Sequence, residues 1–246
     1  MDDVTILRSE MLAKFPEIVF GMSTRRGGVS PASLGMNLSF SVGDDEENVV
    51  RNRELFFSRL GIRLNELAIP RQIHSATLHC VERPGAVSDC DGLLTASRRV
   101  FLCVSVADCV PVLLYDTRQR VIAGIHAGWR GTSAFIAQRG VEMLVSEFAS
   151  NPSDVHAFVG PSASSCCYSV GNEVADAFDP RFVEKRNGST YVNLKQANFD
   201  QLVRAGVPNQ NIETSPLCTI SERELLHSYR RDKERSGRMM AVIGLR

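Results

Sequence analysis

VFLCVSVADCVPVLLYDTRQRVIAGIHAGWRG, residues 100–131, holds three short apolar runs separated by two polar breaks. The runs are Val100–Val106, Val110–Tyr115 and Val121–Ile125, and the breaks are Ala107-Asp-Cys109 and Asp116–Arg120. Near-continuous apolar runs of this length read as strands covered on both faces. Periodicity alone also fits buried helix. The third run stops at His126, and Gly128, Trp129 (the one tryptophan), Arg130 and Gly131 follow.

Outward from this centre, residues 132–148 read as an amphipathic helix burying Phe135, Ile136, Val141, Leu144, Val145 and Phe148. Ile18–Met22 reads as a strand, and Arg25–Ser30 as a turn, because paired glycines permit positive φ. Asp45–Leu60 reads as a helix, with acidic residues in its first turn and Gly61 just past its end. Val155–Val159, Asn211–Thr214 and Met239–Ile243 read as strands, and Asn172–Phe178 and Leu194–Ala205 as helices. With no internal repeat or long linker, the alternation predicts one mixed α/β domain over residues 1–246.

Lys+Arg and Asp+Glu each number 28, so the formal net charge is zero and offers no electrostatic footprint for nucleic acid or an anionic membrane. A local basic pocket remains compatible with that balance. The seven cysteines show no framework spacing. Met1-Asp-Asp-Val-Thr5 lacks signal-peptide character, and no apolar run approaches transmembrane length. The expectation is a cytoplasmic protein with reduced thiols, in which Cys166-Cys167 is a pair of buried small side chains rather than a disulfide.

Five histidines occur: His74, His79, His126, His156 and His227. His74 follows Pro70 in RQIHS, His126 ends an apolar run, and Cys109 sits at the break in VADCVPV. Neighbouring strand ends could bring the three together. Two imidazoles and a thiolate suit zinc with its fourth position open. Two other readings stand beside this one. Each residue could be an ordinary packed side chain. Alternatively, Cys109 and His126 could be nucleophile and base of a cysteine hydrolase, with Asp108 or another carboxylate orienting the imidazole.

The AGWRG turn leads into a helix start, where free N–H groups and the positive dipole end favour an anion. Arg130 adds a bidentate donor for phosphate or carboxylate. Trp129 could lie against a heterocycle or simply pack. Arg25 and Arg26 in STRRGGVS, and Arg230 and Arg231 in SYRRD, are further anion-binding candidates, and Asn37 in GMNLS is a turn residue or polar contact.

The ordered set QIHS, ADCVPVLL and HAGWRG, with FGMSTRRGGVS, GPSASSCCYSVGNEV and the closing SYRRDKERSGR, resembles the YfiH family, also called the laccase-domain or polyphenol-oxidase family. The resemblance runs nearly end to end. It implies an α+β fold with mixed sheets, layered α-β-β-α like a bacterial deamidating toxin, and zinc held by His74, Cys109 and His126. It also implies phosphorolysis of adenosine, inosine, guanosine and methylthioadenosine, together with adenosine deamination. Purine nucleosides and phosphate are then the partners of a monomer or weak homo-oligomer. The runner-up is an amidase that edits peptidoglycan precursors, and a non-catalytic zinc-binding module is a third possibility. His227 stands where the family more often has an aromatic residue.

The oxidase name can be tested by counting. A multicopper oxidase needs roughly ten histidines for its two copper centres. Five are present, which leaves zinc as the expected metal and copper as the lesser option.

Overall fold

The computed structural model describes residues 4–246, and the first three residues of the Met1–Thr5 stretch read for signal-peptide character lie outside them. In chain order the strands begin with β1 (Ile6–Leu7), β2 (Ile18–Ser23), β3 (Leu67–Pro70), β4 (Leu78–Cys80) and β5 (Gly85–Val87). The central ones are β6 (Gly92–Thr95), β7 (Phe101–Val106), β8 (Val110–Asp116), β9 (Val121–Ala127) and β10 (Val155–Val159). The last are β11 (Ser169–Val170), β12 (Val183–Arg186), β13 (Ser189–Val192), β14 (Ile212–Thr214) and β15 (Met239–Leu245). The α-helices are α1 (Glu46–Arg59), α2 (Trp129–Ser133), α3 (Ile136–Phe148), α4 (Asn172–Ala175), α5 (Leu194–Arg204) and α6 (Tyr229–Asp232).

Two six-stranded mixed sheets form the centre, ordered β1-β2-β15-β7-β3-β5 and β14-β10-β8-β9-β6-β4, and a three-stranded sheet β11-β13-β12 flanks them. Side-chain alternation explains the layering. On β7, Leu102 and Val104 join Leu113, Tyr115 and Ile122 of the other sheet in the core between the sheets. Phe101 and Cys103 face outward and pack with Phe56 and Phe57 of α1. On the second sheet, Val112, Leu114, Ala123 and Ile125 pack against Ile136, Val141 and Leu144 of α3 and Leu202 of α5. The order is therefore α-β-β-α. The apolar runs of the opening stretch arise because both faces of β7, β8 and β9 are covered, although β8 and β9 pair antiparallel.

The expected helix over 132–148 is two helices. Phe135 separates them in a left-handed conformation (φ 62°) and is 47% exposed, so it is not a core residue. Val145, also expected inside, is exposed. Gln201 of α5 bridges the break: its Nε2 donates to the Thr132 carbonyl at 2.7 Å, and its Oε1 accepts the Ala137 N–H at 3.2 Å. Gln201 thereby ties the end of α2 to the start of α3, and the Thr132 carbonyl also accepts the Phe135 amide at 3.0 Å. The helix expected over Asn172–Phe178 closes early, at Ala175. No helix among the described residues is long and apolar enough to cross a membrane.

Candidate metal centre

Strand register builds the site. In the β8–β9 ladder Pro111 faces His126 and Val110 faces Ala127, so Cys109, one residue before β8, ends beside Gly128, one residue after β9. In the β6–β9 ladder Gly92 faces Ile125, which puts Asp91 next to His126, and the His126 amide donates to the Asp91 carbonyl at 2.6 Å. The loop before β4 supplies His74 in a left-handed conformation (φ 59°). Such conformations are costly and persist where surrounding contacts fix them. Here the Asp91 carboxylate accepts the backbone N–H groups of Ile73, His74 and Ser75 at 3.3, 3.0 and 2.6 Å.

His74, Cys109 and His126 thus converge, their donor atoms all lying within 4.8 Å of one another. The two imidazoles meet edge to face, with centroids 4.9 Å apart. His126 is buried, and its Nδ1 lies 2.8 Å from Asp91 Oδ1, which leaves Nε2 for a ligand. A carboxylate behind a ligating histidine is the usual way of fixing its tautomer and orientation. A Cβ placed on Gly128 would stand 3.2 Å from both Cys109 Sγ and His74 Cδ2, so the glycine keeps open the space between the donors. Two nitrogens, one sulfur and a cradle free of side chain fit zinc with one open position.

Electrostatics couple the group. Burial pushes the Cys109 thiol up, but the His126 charge and hydrogen bonds from both histidines outweigh it and bring the thiol to about 6. Burial opposes a charged His126, yet Cys109 and Asp91 together raise the imidazole to about 9. Asp91 is also disfavoured by burial, and its hydrogen bonds from His126 and Ser75 still hold it down at about 2. Cys109 and His126 each favour the charged form of the other, and Asp91 favours the charged form of His126.

These residues form the floor of a cavity of about 700 Å³, whose walls carry Arg53, Arg71, Arg230 and Arg238 with Tyr168 and Tyr229. That volume suits a small-molecule ligand. Asp108 lies on the wall, where Oδ1 accepts the Thr219 hydroxyl and Oδ2 the Arg230 amide, each at 2.6 Å. Glu234 is the second carboxylate there and accepts the Tyr229 hydroxyl at 3.0 Å.

Of the arginines expected to hold an anion, Arg230 lines the cavity. Arg130 lies outside that lining: its guanidinium covers the Trp129 ring at 4.2 Å and stands 3.8 Å from Glu173. Arg25 and Arg26 also lie outside, donating to the carbonyls of Arg223 and Glu224. Asn37 is buried in a turn network with Ser39, Asp44 and the Arg238 amide. Arg231 clamps the carbonyls of Thr219 and Leu226. Sequence reasoning missed Asp91, Arg53, Arg71 and Arg238. A carboxylate directly before an apolar strand, in CDGLLT, is the one signal that pointed to Asp91.

A family described as "Multi-copper polyphenol oxidoreductase laccase" matches residues 19–246. The chain belongs to this family. It is 33% identical over 248 residues to "Purine nucleoside phosphorylase YlmD" of Bacillus subtilis (strain 168), covering 94% of this chain and 89% of that protein. It is 36% identical over 251 residues to "Adenosine deaminase RL5" of an unknown prokaryotic organism, covering 94% and 95%. The crystal structure of Bacillus licheniformis hypothetical protein YfiH superposes with a TM-score of 0.92 at 34% identity, covering 98% of this chain and 97% of that one. The family description names copper, yet two of this chain's five histidines reach the centre. A trinuclear and a blue-copper centre would need roughly ten.

Proposed function

We propose that this protein is a purine nucleoside enzyme working at a zinc centre held by His74, Cys109 and His126. It would phosphorolyse adenosine, inosine, guanosine and methylthioadenosine to base and ribose-1-phosphate, and deaminate adenosine. The relatives' names support the substrate class. The observation that carries the reading is the convergence of two imidazoles and a thiol on the floor of an arginine-walled cavity. The described residues are read as one catalytic unit.

When bound, zinc supplies a Lewis acid. The chain's own residues do the rest. Arg53, Arg71, Arg230 and Arg238 offer charged donors to phosphate, the role first expected of Arg130. Tyr168 and Tyr229 line the same cavity, their rings facing the guanidinium groups of Arg230 and Arg238 at 5.1 and 5.2 Å, and a purine would pack beside these pairs. Asp108 already accepts two short hydrogen bonds, whereas Glu234 accepts one, so Glu234 keeps an oxygen free to take or deliver a proton. Incubation with adenosine, with and without phosphate, tests the reading. Adenine with ribose-1-phosphate marks phosphorolysis, inosine marks deamination, and no turnover of any of the four nucleosides overturns it.

One observation favours a second reading. The Cys109 thiol is lowered to about 6, His126 stands beside it and Asp91 behind, which is a nucleophile–base–orienter line. It would suit a cysteine amidase acting on a peptidoglycan precursor. Covalent capture of Cys109 by a peptide electrophile, in metal-free protein that turns over no nucleoside, would select it.

A further inference from the structure

Three more thiols meet outside this centre. Cys166 and Cys167 lie on the tight turn closed by Ser164, whose carbonyl accepts the amides of Cys167 and Tyr168, each at 2.9 Å. Cys218 comes from a distant segment that pairs with this one through a Ser162–Cys218 bridge. Their sulfurs all lie within 4.8 Å of one another, and those of Cys166 and Cys167 are 3.0 Å apart. Cys218 is buried, Cys167 half-buried and Cys166 exposed, so the group has a protected floor and an entry from solvent. The sequence expectation of two buried cysteines fails at both, Cys166 being exposed and Cys167 half-buried, although the two are free thiols as expected.

We propose that Cys166, Cys167 and Cys218 form a second metal site, which takes a soft, thiophilic ion and fits monovalent copper best. The donor set carries the argument. Among the described residues the group holds three sulfurs and no imidazole or carboxylate. Thiolate sulfur selects soft ions. A structural zinc site wants four protein ligands, and this one offers three.

The surroundings order both segments that carry the sulfurs. The Ser164 amide donates to Cys218 Sγ at 3.4 Å, an outer hydrogen bond of the kind that orients metal ligands. The buried Lys195 ammonium donates to the carbonyls of Ser215 and Leu217 at 2.8 Å each, directly before Cys218. The Arg186 guanidinium donates to the carbonyls of Ser165 and Cys166 at 2.5 and 2.6 Å. Two cations therefore hold the backbone on both cysteine-bearing segments.

The site also has a place in the architecture. The Ala163 amide donates to the Asp108 carbonyl at 2.9 Å, and the Thr219 hydroxyl donates to the Asp108 carboxylate at 2.6 Å. Tyr168, next to Cys167, lines the large cavity. An ion held by the three sulfurs staples together the two segments that hold Asp108 and Tyr168 in position.

The test is anaerobic titration of the reduced full chain with monovalent copper from a chromophoric competitor. A variant carrying His74→Ala, Cys109→Ala and His126→Ala removes the first centre and leaves the second. We expect one equivalent to bind, with a three-sulfur shell by X-ray absorption. Adding Cys218→Ser should weaken binding by upwards of about 100-fold, since losing a mere hydrogen-bond partner of a ligand costs about 10–100-fold. Should these variants fail to fold, alkylation of the wild-type chain answers the same question. Copper should protect Cys166, Cys167 and Cys218 while the exposed Cys80 stays reactive. Unchanged alkylation of the three, nitrogen in the metal shell, or a Cys166–Cys167 disulfide that resists reduction and blocks uptake would each overturn the proposal.

Discussion

His126 Nδ1 and Asp91 Oδ1 are 2.8 Å apart inside the protein, and the same carboxylate accepts the backbone N–H groups of residues 73–75. One side chain therefore sets the orientation of His126 and the path of the loop that presents His74. Asp91→Asn should weaken zinc affinity by about 10–100-fold, the usual cost of removing such a partner. Competition with a chromophoric chelator measures it, and unchanged affinity would mean that Asp91 serves only the fold.

Gly128→Ala should fold normally, because Gly128 has an ordinary φ of −71°. Its new methyl would press on Cys109 and His74 at 3.2 Å. The expected result is a near-native thermal midpoint with reduced metal content and turnover. A variant with full metal content would show that the cradle has slack.

Arg230→Ala should raise KM for phosphate by about tenfold or more, since a charged hydrogen bond contributes about 1.5–3 kcal/mol. Arg130→Ala should leave it nearly unchanged, because Arg130 is outside the cavity lining and pairs with Trp129 and Glu173. Steady-state kinetics at varied phosphate distinguish the two. The reverse ranking would restore the phosphate role to the AGWRG turn.

Metal removal by a strong chelator should abolish nucleoside turnover, and stoichiometric zinc should restore it. Full activity in protein shown to be metal-free would sink the zinc reading and leave the Cys109–His126 pair as the working chemistry.

His227 is fully buried, and neither ring nitrogen has a hydrogen-bond partner among the described residues. Burial first and then Arg25, with lesser help from Arg238 and Arg231, push its imidazole down from 6.5 to about 3, while Asp232 opposes them. Below pH 6.5 the unfolded chain binds a proton that the folded chain refuses. Stability therefore falls as pH drops from 6.5 toward 3, by about 1.4 kcal/mol per pH unit for this one group. His227→Phe should flatten the slope of urea-unfolding free energy against pH by about one proton in this window. An unaltered slope would show that His227 is charged in the folded state.

The sequence by itself read Val100–Val106, Val110–Tyr115 and Val121–Ile125 as strands covered on both faces, with buried helix fitting the same pattern. The layer order came with the family resemblance, and the structure divides these residues between the cores on either side of each sheet. The sequence also marked His74, Cys109 and His126 as unusual interruptions, and its motifs carried the family. Local pattern reports which face of an element is covered, because burial repeats with the element's own period. It does not report which loops meet. Tertiary structure alone decided that β6, β9 and β8 end side by side, bringing Asp91 to His126. Packing against α5 let Gln201 bridge the break at Phe135 that a helical pattern hides. The same long-range geometry placed Arg230 and Arg238 on the cavity wall and left Arg130 outside it. An arginine's charge is written in its sequence, but what that charge faces depends on segments a hundred residues away.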